Sequence, residues 1–168
     1  MQRVFESASK RLGYDLWALT QSGPEERLNA TECTQPAMLA AGVATWRIWQ
    51  RRGGPAPDLV AGHSLGEFTA LAVAGVLDPD DAVELVRFRG QVMQEAVPRG
   101  EGGMAAIIGL DDAEVEAACA EAAQGQVVEA VNYNAPSQVV IAGATAAVER
   151  AVAAAKARGA KRGLPLPV

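Results

Sequence analysis

At 168 residues, with 49% hydrophobic and 21% charged side chains, the sequence is long enough to bury a core and is neither disordered nor fibrous. A net charge of −5 and a pI near 4.9 weigh against nucleic-acid binding, Cys33 and Cys119 are too few for a disulfide framework, and the lone histidine leaves no metal-ligand spacing. The start is too charged for a secretory signal and no apolar run reaches ~18 residues, so the expected location is cytoplasmic, with no membrane association.

From Gln2 to Gly102 the pattern predicts several helices and one strand. An amphipathic helix is expected from Pro36 to Arg52, with Met38, Leu39, Val43, Trp46 and Trp49 on its apolar face. Asp58-Leu59-Val60-Ala61 is a short β-branched and apolar run that reads as a strand, and Leu65 to Ala74 reads as a helix. Asp78-Pro79 opens the next helix, aspartate as N-cap and proline in the first turn, and the pattern runs to about Val97-Pro98. One strand is not a sheet, so residues 1–102 read as a partial α/β domain whose other strands lie outside the chain; an unrelated helical domain is the alternative.

The glycine-rich Arg99-Gly100-Glu101-Gly102-Gly103 suits a hinge or cleft edge. Beyond it come a strand over Met104 to Ile108, a helix over Asp111 to Ala123 with Asp111 and Glu114 spaced as a capping box, and a strand over Val127 to Asn132. A strand over Gln138 to Ala142, an alanine-rich helix over Ala146 to Arg158 ended by Gly159, and a last strand over Lys161 to Leu166 complete a β-α-β-β-α-β order. That is a ferredoxin-like small domain over 103–168.

Between the predicted strand and helix lies Gly62-His63-Ser64-Leu65-Gly66, the setting a nucleophile elbow requires. Gly62 and Gly66 suit a sharp turn that flanking side chains would obstruct, leaving the Ser64 hydroxyl exposed. The Leu65 N–H, at the start of the following helix, is placed to donate to an oxyanion formed when Ser64 attacks a carbonyl. A base is missing: His63 is the chain neighbour of Ser64, and adjacent side chains in an extended segment point to opposite sides. A glycine-rich turn with an ordinary serine is the other reading of these residues.

On a wheel of ~100° per residue, Ala82, Leu85, Val86, Val92, Met93 and Ala96 lie within roughly 60° of Arg89, whereas Arg87 falls opposite with Glu84, Gln91 and Gln94. An inward guanidinium needs an anion, either a structural carboxylate such as Glu67 or the carboxylate of a ligand.

Gly62 to Glu67, followed by Arg89 within Arg87 to Pro98, closely resembles the malonyl-CoA:acyl carrier protein transacylase family. The resemblance spans almost the whole chain, through Leu12 to Leu16, Thr34-Gln35-Pro36-Ala37, Met104 to Leu110, and Val131 to Gly143; Met1 to Lys10 matches only loosely. It implies an incomplete α/β-hydrolase-like large domain with the ferredoxin-like (βαββαβ) small domain as an insertion. It implies Ser64 as the acyl-accepting nucleophile, Leu65 as an oxyanion donor, and Arg89, beside Met93, as the clamp for the malonyl carboxylate. His63 then belongs to the elbow without serving as base, Asn132 and Asn134 match asparagines on the small-domain side of the cleft, and Lys161-Arg162 match a region near the pantetheine entrance.

The partners implied are malonyl-CoA and an acyl carrier protein, in fatty acid biosynthesis, with no cofactor or metal and a monomeric parent enzyme. Carrier proteins are acidic, and Lys156, Arg158, Lys161 and Arg162 are the densest cationic cluster in the C-terminal part; favourable placement at a helix C-terminus explains the same residues. The family's opening Gly-Gln-Gly-Ser-Gln loop, with the second oxyanion donor, has no counterpart here, and its catalytic histidine follows the segment matching Leu164 to Val168. The expectation is therefore a piece of a larger enzyme, inactive or nearly so by itself. The other classes are a polyketide-type acyltransferase, a serine esterase sharing only the elbow, and a non-catalytic carrier-protein binding module.

Overall fold

A computed structural model describes residues 1–97 and 100–166. Pro98, at the expected end of a helix, Arg99, in the expected hinge, and Pro167 and Val168, in the last family-like segment, lie outside the described residues. The chain divides into two compact units, Met1–Ala96 and Val97–Val168. The glycine-rich segment, expected between domains divided at 102, is tied to the second unit: the Thr145 N–H donates to the Glu101 carbonyl at 3.0 Å, and Gly102 pairs with Ala144. None of the helices is long and apolar enough to cross a membrane, among the described residues.

The first unit contains α1 (Gln2–Leu12), α2 (Leu16–Ser22), α3 (Glu25–Asn29), α4 (Thr31–Arg51), α5 (Gly66–Val73) and α6 (Pro79–Glu95). Local chemistry sets the ends of several. Asp15 caps α2 by accepting from the Ala18 N–H at 2.9 Å, and Asp78 caps α6 by accepting from Asp80 at 2.8 Å, with Pro79 next as expected. Helix α4 starts ahead of Pro36, which lies inside it; Thr34 Oγ1 donates to the Leu28 and Ala30 carbonyls, securing the first turn.

The α4 face that enters the core is Ala37, Leu39, Ala40, Val43 and Ala44, whose small members let neighbouring helices approach. Met38 and Trp49, expected inside, are off that stripe and exposed; the Trp49 indole N–H instead donates to the Pro55 carbonyl at 2.9 Å. The expected strand at Asp58 to Ala61 is irregular chain, with Leu59 91% exposed. A strand needs a neighbour to accept and donate its ladder bonds, and the first unit supplies none among its described residues.

Helix α6 corrects the wheel reading. Its buried stripe is Ala82, Val83, Val86 and Gly90, while Leu85, Val92, Met93 and Ala96 are exposed and Arg89 is half-buried at the border. Arg87 is half-buried as well, donating to the Leu12 carbonyl at 3.2 Å. Gly90 explains the rotation: a Cβ there would stand 2.8 Å from Glu32 Cα and 2.8 Å from the Thr31 carbonyl oxygen, so its missing side chain lets α6 cross tightly over the start of α4. The wheel gave Gly90 no weight, but the crossing over α4 turned the face that carries it inward.

The second unit holds β1 (Gly102–Ile108), α7 (Asp112–Ala123), β2 (Val128–Ala135), β3 (Gln138–Ala144), α8 (Thr145–Ala157) and β4 (Arg162–Leu166), the expected β-α-β-β-α-β order. Its four strands form one antiparallel sheet in the order β2-β3-β1-β4. Helices α7 and α8 pack on each other and on the sheet around a core with Ile107, Val115, Val139, Ile141 and Ala151. The expected capping box does not form. Asp111 makes no side-chain cap bond, and Glu114 is drawn to Arg158 Nη1 at 2.7 Å instead.

Arg150 of α8 closes the other end of α7, donating from Nε to the Ala122 carbonyl at 2.9 Å and from Nη2 to Ala123 at 3.3 Å and Gln126 Oε1 at 2.9 Å. These are C-terminal carbonyls that a helix cannot satisfy internally. Arg150→Ala is expected to destabilise the second unit by about 1 to 2 kcal/mol in urea unfolding; an unchanged midpoint would show that water replaces the guanidinium at no cost.

Candidate active site

The elbow forms without its preceding strand. Ser64 has φ 52°, a left-handed conformation costly for a residue with a side chain, and α5 begins two residues later at Gly66. Gly62 makes that turn possible: a Cβ there would lie 2.0 Å from the Gly66 carbonyl carbon and 2.2 Å from the Glu67 nitrogen. Gly66 is different from expectation, since a Cβ at that position meets nothing within 4 Å. Gly62→Ala is expected to cost about 1 to 3 kcal/mol and to displace Ser64, seen as shifted amide resonances from residue 62 to residue 67. Gly66→Ala should leave both unchanged.

The turn uses two of its donors internally and leaves one spare. The Gly66 N–H donates to the His63 carbonyl at 2.8 Å and the Glu67 N–H to the Ser64 carbonyl at 3.2 Å, whereas the Leu65 N–H has no acceptor among the described residues. A spare N–H beside Ser64, at the start of α5, is the kind of donor an oxyanion requires. His63 and Ser64 are both exposed, and no hydrogen bond joins their side chains among the described residues.

Arg89 Nη2 donates to Ser64 Oγ at 3.0 Å, and Nη1 donates to Gln35 Oε1 at 2.6 Å. Glu67 is exposed and takes no part, and no carboxylate lies within salt-bridge range of Arg89 among the described residues. The cation is therefore oriented by a neutral amide and keeps its charge for a ligand. Gln35 is only 5% exposed and is fixed in turn, its Nε2 donating to Thr31 Oγ1 at 3.1 Å and to Met93 Sδ at 3.6 Å. Phe68 lies beneath the guanidinium, 5.8 Å from ring centroid to Cζ. Met93 is 51% exposed and joins the cluster through its sulfur, not as the buried wall expected.

Gln35 and Phe68 are the site residues that sequence reasoning missed. The signal for Gln35 was present: it stands one turn before Leu39 and two before Val43, a polar side chain on the apolar stripe of α4.

In the second unit, a register shift in β2 between Ala130 and Asn132 interrupts the strand's alternation, so that Asn132 faces away from the side that Ala130 occupies. Tyr133, opposite buried Val139, faces the helices, and its hydroxyl donates to Glu116 at 2.6 Å; that bond, more than burial, holds the phenol above its ordinary pKa. Asn132, opposite Val140, is half-buried on the other face, which it shares with Ala106, Leu164 and Arg162 by the ladder pairing. Asn134 sits at the next register shift and is exposed. Arg158 is spent on Glu114 and Glu121 at 2.7 and 3.0 Å, so the expected cationic cluster reduces to Lys156, Lys161 and Arg162, all exposed.

Residues 1–164 match the acyl transferase domain. The chain belongs to that family. Malonyl CoA-acyl carrier protein transacylases of Salmonella typhimurium and Escherichia coli K12 are 64% and 65% identical over all of this chain, which covers 54% of each. The chain thus spans about half the length of the curated relatives it matches. A type II PKS acyl-carrier protein in complex with its malonyl-transacylase contains a similar chain, with a TM-score of 0.97 and 62% identity over 99% of this chain and 54% of that one. An acyl carrier protein S-malonyltransferase from Vibrio cholerae has a TM-score of 0.94 and 60% identity, covering 99% of this chain and 55% of its own.

Within this acyl transferase domain the elbow and the arginine meet in the first unit, each held by a different helix. The elbow is set by Gly62 and the start of α5; the arginine is aimed by α6 and by Gln35 on α4.

Proposed function

We propose that the protein carrying this chain moves a malonyl group from malonyl-CoA to an acyl carrier protein through an ester on Ser64. One observation carries the reading: Arg89 Nη2 lies 3.0 Å from Ser64 Oγ. Malonyl separates its carboxylate from the reacting carbonyl by a single methylene, so a cation this close to the nucleophile can hold that carboxylate while the carbonyl is attacked. Acetyl offers no anion and leaves the guanidinium unmatched.

Ser64 Oγ attacks the thioester carbonyl and its proton passes to a base; the C–S bond breaks, and coenzyme A leaves as the thiol after taking a proton. The pantetheine thiol of the carrier then attacks the serine ester, forming a new thioester and returning the proton to Ser64. Thioester exchange is nearly balanced in energy, so the reading includes no cofactor or metal. Leu65 N–H supports the oxyanion in both steps, and the base is a histidine outside this chain, as the family resemblance implies.

The same reading places the first unit in an α/β-hydrolase-like large domain and takes the second unit as its ferredoxin-like insertion, supported by the β2-β3-β1-β4 order. Asn132 and Asn134 serve substrate binding from the small domain, and Arg162, with Lys161, serves the coenzyme A or pantetheine entrance, in a cytoplasmic, monomeric enzyme. A polyketide-type acyltransferase is the second reading, favoured by the similarity to the type II PKS malonyl-transacylase.

Intact-mass spectrometry after malonyl-CoA treatment tests the proposal. The full-length protein is expected to gain one malonyl group on Ser64 and pass it to carrier protein. The 168-residue chain alone, with no base on Ser64 among its described residues, is expected to acylate slowly; rapid stoichiometric labelling of that chain would overturn the assignment of the base.

A further inference from the structure

Arg89 divides its donors between a fixed and a changeable partner. Nη1 is bound to Gln35, itself buried and anchored to Thr31, while Nη2 reaches the exposed Ser64 hydroxyl at 3.0 Å. Phe68 limits movement of the guanidinium on one side. We infer that the Ser64 hydroxyl and the acyl carboxylate compete for Arg89 Nη2, so that a carboxylated acyl group releases the serine as it binds. The inference rests on the reading of Arg89 as the holder of that carboxylate.

A carboxylate is a stronger acceptor for a guanidinium than a neutral hydroxyl, so the exchange favours the anion. An uncharged acyl group has nothing to exchange, and Ser64 Oγ keeps one lone pair engaged with the cation. Selection for a carboxylated substrate then operates twice, in binding the acyl group and in freeing the nucleophile that must attack it. Linkage gives the sign of the test: the Arg89–Ser64 bond must break for the carboxylate to bind, so removing the hydroxyl must tighten binding.

The test is a titration of the full-length protein with monomethyl malonate, followed through the Arg89 Nε–H resonance. Ser64→Ala and Ser64→Gly are each expected to bind about threefold to tenfold more tightly than the parent protein, the equivalent of one modest hydrogen bond. Glycine is included because it accepts the left-handed backbone at position 64 without strain. Equal or weaker binding in both variants would sink the competition, because the carboxylate would then be using other guanidinium hydrogens. Binding that persists in Arg89→Met would instead remove the carboxylate-holding role and the inference with it.

Discussion

Ser64→Ala in the full-length protein is expected to lower malonyl transfer about 10⁶-fold, the scale of loss when serine hydrolases lose their nucleophile. The reason lies in what the hydroxyl does not do. Ser64 is exposed and outside the hydrophobic core, the hydrogen bond its hydroxyl makes among the described residues is accepted from Arg89, and the elbow is shaped by Gly62. Folding and malonyl-CoA binding should therefore survive while acylation disappears, which separates a nucleophile from a structural serine. Transfer to carrier protein by radiolabel, with substrate affinity measured alongside, reads both. A variant with a tenth of the parent rate would mean that the acyl group passes directly between thiols and that Ser64 only positions it.

The parts of the fold that were legible in the sequence rest on local chemistry. Asp78-Pro79 marks a helix start wherever it sits, and the alternation of strands and helices after Gly102 is visible because each element carries its own period. What was hidden depends on partners. Asp58 to Ala61 has strand composition but no ladder in the first unit, and composition cannot supply a neighbour. The buried stripe of α6 was hidden in part for a related reason: Gly90 carries no apolar side chain, yet it is where α6 crosses the start of α4, and larger Leu85 and Val92 were left outside. Glu114 was spaced for a capping box, but Arg158, a distant residue in sequence, competes for it at 2.7 Å.

The site shows the same division. The turn at Ser64 and Leu65 was readable because five consecutive residues define it, whereas Arg89 was singled out by a wheel face that the structure places partly outside, with Arg89 at its border. Its partner was not, because the Gln35 to Arg89 bond joins residues 54 positions apart and the sequence search looked for a negative charge. A neutral amide does what a structural carboxylate could not: it orients the guanidinium without neutralising it, leaving the field available to an incoming anion.

Arg89→Met in the full-length protein is expected to reduce kcat/KM for malonyl-CoA by about 10² to 10³, the loss that follows when one partner of a desolvated charge pair is removed. Acetyl-CoA should lose less than about threefold, since an uncharged acyl group gains nothing from the cation. Methionine keeps much of the aliphatic bulk over Phe68, so the comparison isolates the charge from the packing. Stability should fall by about 1 to 3 kcal/mol, because buried Gln35 Oε1 loses its donor. Arg89→Lys restores a charge but not the fork that reaches Gln35 and Ser64 together, and should recover only part of the malonyl preference. Competition between malonyl-CoA and acetyl-CoA decides the matter: if Arg89→Met lowers both rates equally, the arginine is a brace between α4 and the elbow, and specificity resides elsewhere.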